Sequence, residues 1–196
     1  VPNFSLLSGH KRVMPAMTAL LESGGSPLAG FLLPGHVSVI IGSDVYEPLT
    51  TRYHRACAIA GFEPEQLVRG LHELVTQIVS DELRVANVYS LAVTGEGNRH
   101  AQASLADVFA PATAVWRALG PIPDSGLELR GEYAALDAAS RFGVDCDADY
   151  EPAGCRCGDV IRGALDPPAC GLVGRACTPG APVGHRLLYT SDAARA

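Results

Sequence analysis

No apolar run in this sequence is long enough to cross a bilayer. The longest, residues 27–42, is broken by Pro34, Gly35, His36 and Ser38, whereas a spanning helix needs ~20 consecutive apolar residues. Basic charge is in deficit. Fifteen Lys and Arg stand against 21 Asp and Glu, a formal net charge of −6, which removes nucleic acid and anionic membranes as main partners. There is no G-x-x-x-x-G-K-[ST] phosphate loop, no G-x-S-x-G elbow and no G-x-G-x-x-G after a strand. The opening Val-Pro-Asn-Phe-Ser has no initiator Met, basic leader or signal-type apolar run. It reads as a fragment entered at the edge of a strand, and the expected compartment is the cytoplasm. With 47% hydrophobic and 18% charged residues, wholesale disorder is excluded too.

What remains is a globular chain of 196 residues, enough for one domain and a smaller appendage. Three early segments share one grammar. Residues 4–8 are strand-like and lead through Gly9-His10 to a helical pattern at Met14, Met17, Leu20 and Leu21. Residues 30–33 lead through Pro34-Gly35-His36 to the apolar run 37–41. Residues 56–60 lead through Gly61-Phe62-Glu63-Pro64 to a helix carrying Leu67, Leu71, Leu74, Val75 and Ile78. Strand, glycine turn and helix at these lengths predict an α/β fold with a parallel sheet. The turns would then lie on the carboxyl edge, where open α/β sheets hold their ligands. His10, His36 and Glu63 are the candidate catalytic groups there. The plainer alternative is that each His bonds a neighbouring carbonyl and that Glu63 is only a first-turn helix acid.

Further along, residues 85–93 suggest a strand and 100–109 a helix. Residues 116–122 read as extended, 120–126 as a connector and 130–142 as an amphipathic helix. Composition then shifts: residues 151–185 hold five Pro and seven Gly but only six large aliphatics. Six such side chains, at about 1.5–3 kcal/mol each when buried, cannot order that backbone at about 1–2 kcal/mol per residue. The segment needs a staple. The expected organisation is an α/β domain over 1–125, a metal-cluster domain over 126–185 and a tail over 186–196.

Four of the six cysteines supply the staple: Cys155, Cys157, Cys170 and Cys177, spaced C-x-C-x12-C-x6-C. Four thiolates can saturate a tetrahedral zinc or hold the irons of a cubane cluster. The C-x2–4-C knuckle usual for structural zinc is absent, and two disulfides are the third option. Cys57 reads as a buried strand thiol. Cys146, between Asp145 and Asp147, reads as a spare surface thiol.

The runs Pro34-Gly-His-Val-Ser-Val-Ile-Ile-Gly42, Ala60-Gly-Phe-Glu-Pro64 and Pro152-Ala-Gly-Cys-Arg-Cys-Gly-Asp-Val-Ile-Arg-Gly163 together resemble the HypD family of hydrogenase maturation factors. The likeness continues through Val115-Trp-Arg117, Ile122-Pro-Asp-Ser-Gly126, Arg141-Phe-Gly143 and Ala176-Cys-Thr-Pro179. The resemblance implies two α/β domains and a C-terminal domain with a [4Fe–4S] cluster on Cys155, Cys157, Cys170 and Cys177. It places His36 in a cleft. It also implies work with a HypC-type chaperone and a HypE-type cyanide donor to assemble the Fe(CN)2CO unit of [NiFe]-hydrogenases, as scaffold and electron relay rather than as a simple turnover enzyme. The chain departs from the pattern by lacking the family's C-G-x-H and G-P-G-C-P-V-C motifs, whose cysteines are thought to hold the incoming iron. It also departs at Asn87-Val-Tyr89 and from His185 onward, and it reads as the C-terminal half of such a factor. The competing classes are an α/β enzyme at the His10/His36/Glu63 edge with a zinc-bound tail, and a zinc-stapled binding module.

Overall fold

The computed structural model describes residues 3–24, 26–144, 152–178 and 180–183. Cys146 and the tail from 186 lie outside them. In chain order the elements begin α1 (Val13–Glu22), β1 (Gly30–Pro34), α2 (Gly35–Ile41), α3 (Glu47–Thr51), β2 (Ala56–Ala60), α4 (Pro64–Ser80) and β3 (Val85–Asn87). They continue with α5 (Arg99–Val108), β4 (Phe109–Trp116), β5 (Gly120–Leu129), α6 (Ala138–Phe142) and α7 (Cys157–Ile161). The chain forms two compact units, Leu28–Phe109 and the described residues of Val1–Pro27 with Ala110–Ala196. The fold is α/β, with a parallel three-stranded sheet in the first of these and a small antiparallel pair, β4–β5, in the second.

In the 28–109 unit the strand order is β1-β2-β3. Central β2, Ala-Cys-Ala-Ile-Ala, is buried at every residue, as a strand covered on both faces must be. Its small side chains let α4 lie close. Helix α4 starts with Pro64 at its first position and ends at Asp81 in the left-handed region (φ 56°). It buries Gly70, Leu74 and Gln77, while Leu71, Val75 and Ile78 of the predicted apolar pattern are exposed. Fully buried Gln77 donates from Nε2 to the Cys57 carbonyl (3.1 Å) and accepts the Arg84 amide at Oε1 (3.0 Å). It ties β2 to the turn that leads into β3.

Residues 37–41 are helical although their β-branched run carried no helical pattern; short apolar runs do not distinguish the two by periodicity. The Ser38 hydroxyl bonds back to the Pro34 carbonyl (2.9 Å) and meets buried Tyr46 Oη (3.1 Å), so α2 is fastened at its inner face. Strand β3 stops at Asn87, short of the expected 93. The Asn87 side chain donates to the Val93 carbonyl (2.8 Å) and accepts the Tyr89 amide (3.0 Å), folding 88–93 into turns.

The first strand–turn segment gives no strand to this sheet. Leu6 forms a single parallel bridge to Asp137 in the other unit, with Phe4 and Leu7 exposed. In that unit α1 packs on β5. The expected connector 120–126 is part of β5. It tolerates Pro121 and Pro123 because proline is excluded only where a ladder needs its N–H. Buried Ser125 donates to the Ile122 carbonyl (2.7 Å) and accepts Trp116 Nε1–H (2.7 Å). The expected helix over 130–142 is broken at Asp137. Its carboxylate caps Ala139 and Ser140 and starts α6 afresh, while 131–136 is a 3-10 turn.

Gln77→Ala would orphan the Cys57 carbonyl and the Arg84 amide. It should lower the stability of the 28–109 unit by about 2 kcal/mol in urea denaturation. Val79→Ala on the same helix, at a site 82% exposed, should change it by less than about 0.5 kcal/mol.

Candidate functional site

Two of the three sheet-edge candidates meet at the carboxyl end of the parallel strands. His36 is exposed in the first turn of α2. Glu63 is exposed at the N-cap of α4 and makes no capping bond with its side chain. They are linked through Phe62, whose ring centroid lies 5.0 Å from that of His36 at an interplanar angle of 42°. Tyr89 completes the group. A Cβ on Gly35 would stand 2.6 Å from Tyr89 Cδ1 and 2.7 Å from the Ala60 carbonyl oxygen, so only glycine lets the ring lie across the end of β1. The edge therefore presents an imidazole, an exposed phenyl ring and a carboxylate. That set can move a proton or receive a mixed polar and aromatic partner surface. His10 follows no strand of this sheet and belongs to the other unit. Its Nδ1 lies 3.2 Å from Ser8 Oγ.

The second constellation is the cysteine segment. Cys157, on α7, and Cys170 and Cys177 are buried, and Cys155 is partly exposed. None of the four is in a disulfide. Burial raises the Cys155 thiol, and the charges of Cys157, Cys170 and Cys177 raise it further; the four sulfurs share one electrostatic neighbourhood. Cys170 is pulled the other way, chiefly by the amide of Leu172 and then that of Arg156. The Cys177 sulfur accepts the Val183 amide at 3.2 Å. Turns close the framework: Val173 N–H to the Cys170 carbonyl (3.0 Å), Cys177 N–H to that of Leu172 (2.8 Å) and Gly174 N–H to that of Cys177 (3.0 Å). Among the described residues no three His, Cys, Asp or Glu side chains are arranged to hold a metal ion. In chemistry the set fits an iron–sulfur cluster: four soft thiolate donors, with main-chain N–H groups aimed at sulfur.

Phe62 and Tyr89 carry no chemical signature in the sequence beyond their places in the runs Ala60–Pro64 and Asn87–Tyr89. The amides of Leu172, Arg156 and Val183 are invisible there, because any residue but proline supplies one.

Two outcomes follow. Cys157→Ala should speed limited proteolysis within residues 152–183 several-fold, since that stretch has no core of its own. Cys57→Ala should leave cleavage there unchanged. Burial also pushes the Cys57 thiol up from 9.0 to about 12. The folded unit thus keeps a neutral thiol where the unfolded chain ionises. The stability this contributes is whole below pH 9 and is lost as pH rises toward 12. Urea midpoints across that window should fall more steeply for wild type than for Cys57→Ala.

A model of the HypD family, described as "Hydrogenase formation hypA family", matches residues 1–192. It therefore takes in most of the stretch from 186 that the sequence reading set apart. The chain is 38% identical to "Hydrogenase maturation factor HypD1" of Bradyrhizobium diazoefficiens, over 98% of this chain and 52% of that protein. It is 37% identical to "Hydrogenase maturation factor HypD" of Cupriavidus necator, over 100% and 54%. Against the protein of that name from Escherichia coli it is 36% identical, over 100% and 53%. The chain thus spans about half the length of these curated relatives. With the motifs in order along the sequence and the match running over nearly all of it, the chain belongs to the HypD family.

Proposed function

We propose that this chain serves hydrogenase maturation as part of a scaffold and electron relay for the Fe(CN)2CO unit of a [NiFe]-hydrogenase. Cys155, Cys157, Cys170 and Cys177 would hold a resident [4Fe–4S] cluster. The observation that carries the reading is the pair of buried sulfurs, Cys170 and Cys177, that draw main-chain N–H bonds within one compact segment. The names of the relatives support the maturation role. When bound, the cluster would supply one-electron chemistry. The protein's own part would be to shield three of the thiolates, Cys157, Cys170 and Cys177, from water and to fix the orientation of all four. Thiolate ligation requires reduced cysteines and hence a reducing compartment, the cytoplasm. The edge of His36, Phe62, Glu63 and Tyr89 would face partner proteins, a HypC-type chaperone and a HypE-type cyanide donor among them. The incoming iron would be substrate, and its cyanide ligands would arrive from the HypE-type donor.

Anaerobically purified protein should contain about four iron atoms and four acid-labile sulfides per chain. Zinc without sulfide would support the zinc-stapled alternative and end the relay reading. The 196-residue chain, expressed alone in a strain lacking the factor, should not restore hydrogenase activity. Loading iron needs an open thiolate; Cys57 is buried with its thiol pKa held at about 12, the flanking Asp145 and Asp147 oppose a thiolate at Cys146, and the resident cluster would close the remaining four. Restored activity would show that the residues present here suffice for transfer.

A further inference from the structure

The turn of the β4–β5 hairpin touches the cysteine segment at both of its ends. Arg117 Nη2 donates to the Val183 carbonyl at 3.0 Å, and the amide of the same Val183 donates to Cys177 Sγ at 3.2 Å. The neighbouring carbonyl, that of Ala118, stands where a Cβ on Gly158 would come within 2.4 Å. Helix α7, which carries Cys157, is therefore pressed on the same turn. The hairpin itself is closed by the Leu119 amide on the Trp116 carbonyl (2.9 Å), and Trp116 is pinned by Ser125. Arg117 thus projects from a firm support and grips the carbonyl on the C-terminal side of the Val183 Cα, while the amide on its N-terminal side faces a sulfur. The sequence marked Val115-Trp-Arg117 as a motif, and neither the cluster ligands nor the sheet edge accounts for its arginine.

We propose that Arg117 is a positioning residue for the cysteine centre: by holding the Val183 carbonyl it aims the Val183 amide at Cys177 Sγ and so tunes the electron affinity of the group bound there. The inference rests on the [4Fe–4S] reading of Cys155, Cys157, Cys170 and Cys177. An N–H bond to a ligating sulfur favours the more electron-rich, reduced form. Losing it moves the midpoint to more negative potential. Arg117 touches neither sulfur nor iron, so its effect passes through one amide alone.

The test is a redox titration of the anaerobically purified chain, followed by visible absorption and electron paramagnetic resonance, with iron and sulfide measured in every sample. Val183→Pro removes the donor and Arg117→Ala removes the grip; each should shift the midpoint negative. The double variant should shift no further than Val183→Pro alone, because both act on the same bond. Arg117→Lys, which keeps a donor for the carbonyl, should return the midpoint toward wild type. A wild-type midpoint in Arg117→Ala at full iron and sulfide content would overturn the inference while leaving the cluster standing. Additive shifts in the double variant would overturn it as well, as would loss of the cluster in Arg117→Ala when Val183→Pro retains it. Wild-type protein without iron and sulfide would instead bring down the cluster reading, and the inference with it.

Discussion

A strand with no exposed residue must have every main-chain group paired and both faces covered. Strand β2, Ala56–Ala60, meets that demand through β1 and β3 on either side. The packing of α4 on β1 and β2 follows from the same burial. Because the strands are parallel, the turns after β1 and β2 emerge at one edge, and the rings of His36 and Phe62 are brought into tilted contact as a result. The buried thiol of Cys57 is a consequence too: it is chemically silent because the strand that carries it is closed to water.

The cysteine segment is built on the opposite principle. It has short helical turns and isolated bridges in place of long elements. Its buried side chains, among the described residues, are the sulfurs of Cys157, Cys170 and Cys177 and the single aliphatic Val160. Order comes from main-chain bonds between successive turns and from the hairpin behind it, which grips Val183 and presses on α7. A group that binds four thiolates would add its binding free energy to that of folding.

Much of the architecture was legible in advance. The glycine turns after residues 33 and 60, the helix over α4 and the C-x-C-x12-C-x6-C spacing are local patterns, and each carries its own physical meaning. The errors have a common cause. Residues 4–8 look like a strand, but which strand they pair with depends on a partner, Asp137, some 130 positions away. For residues 37–41 the pattern assigns only an apolar run, and the Ser38–Tyr46 contact and the end of β1 hold it in a helix. The run 130–142 has helical periodicity, and one side-chain cap at Asp137 splits it. Apolar pattern also overestimated how much of α4 is covered: Leu71, Val75 and Ile78 face outward.

The amino-acid order alone determined the α/β class, the thiol spacing of the cysteine segment and the family to which the chain belongs, because periodicity, side-chain chemistry and motif spacing are properties of neighbouring residues. Tertiary structure alone decided that His10 does not join His36 and Glu63 on one sheet, that Phe62 and Tyr89 complete the edge, and that Val183 gives its carbonyl to Arg117 and its amide to Cys177. Those depend on which distant segments approach one another, and a peptide N–H looks the same in every residue until the fold has aimed it.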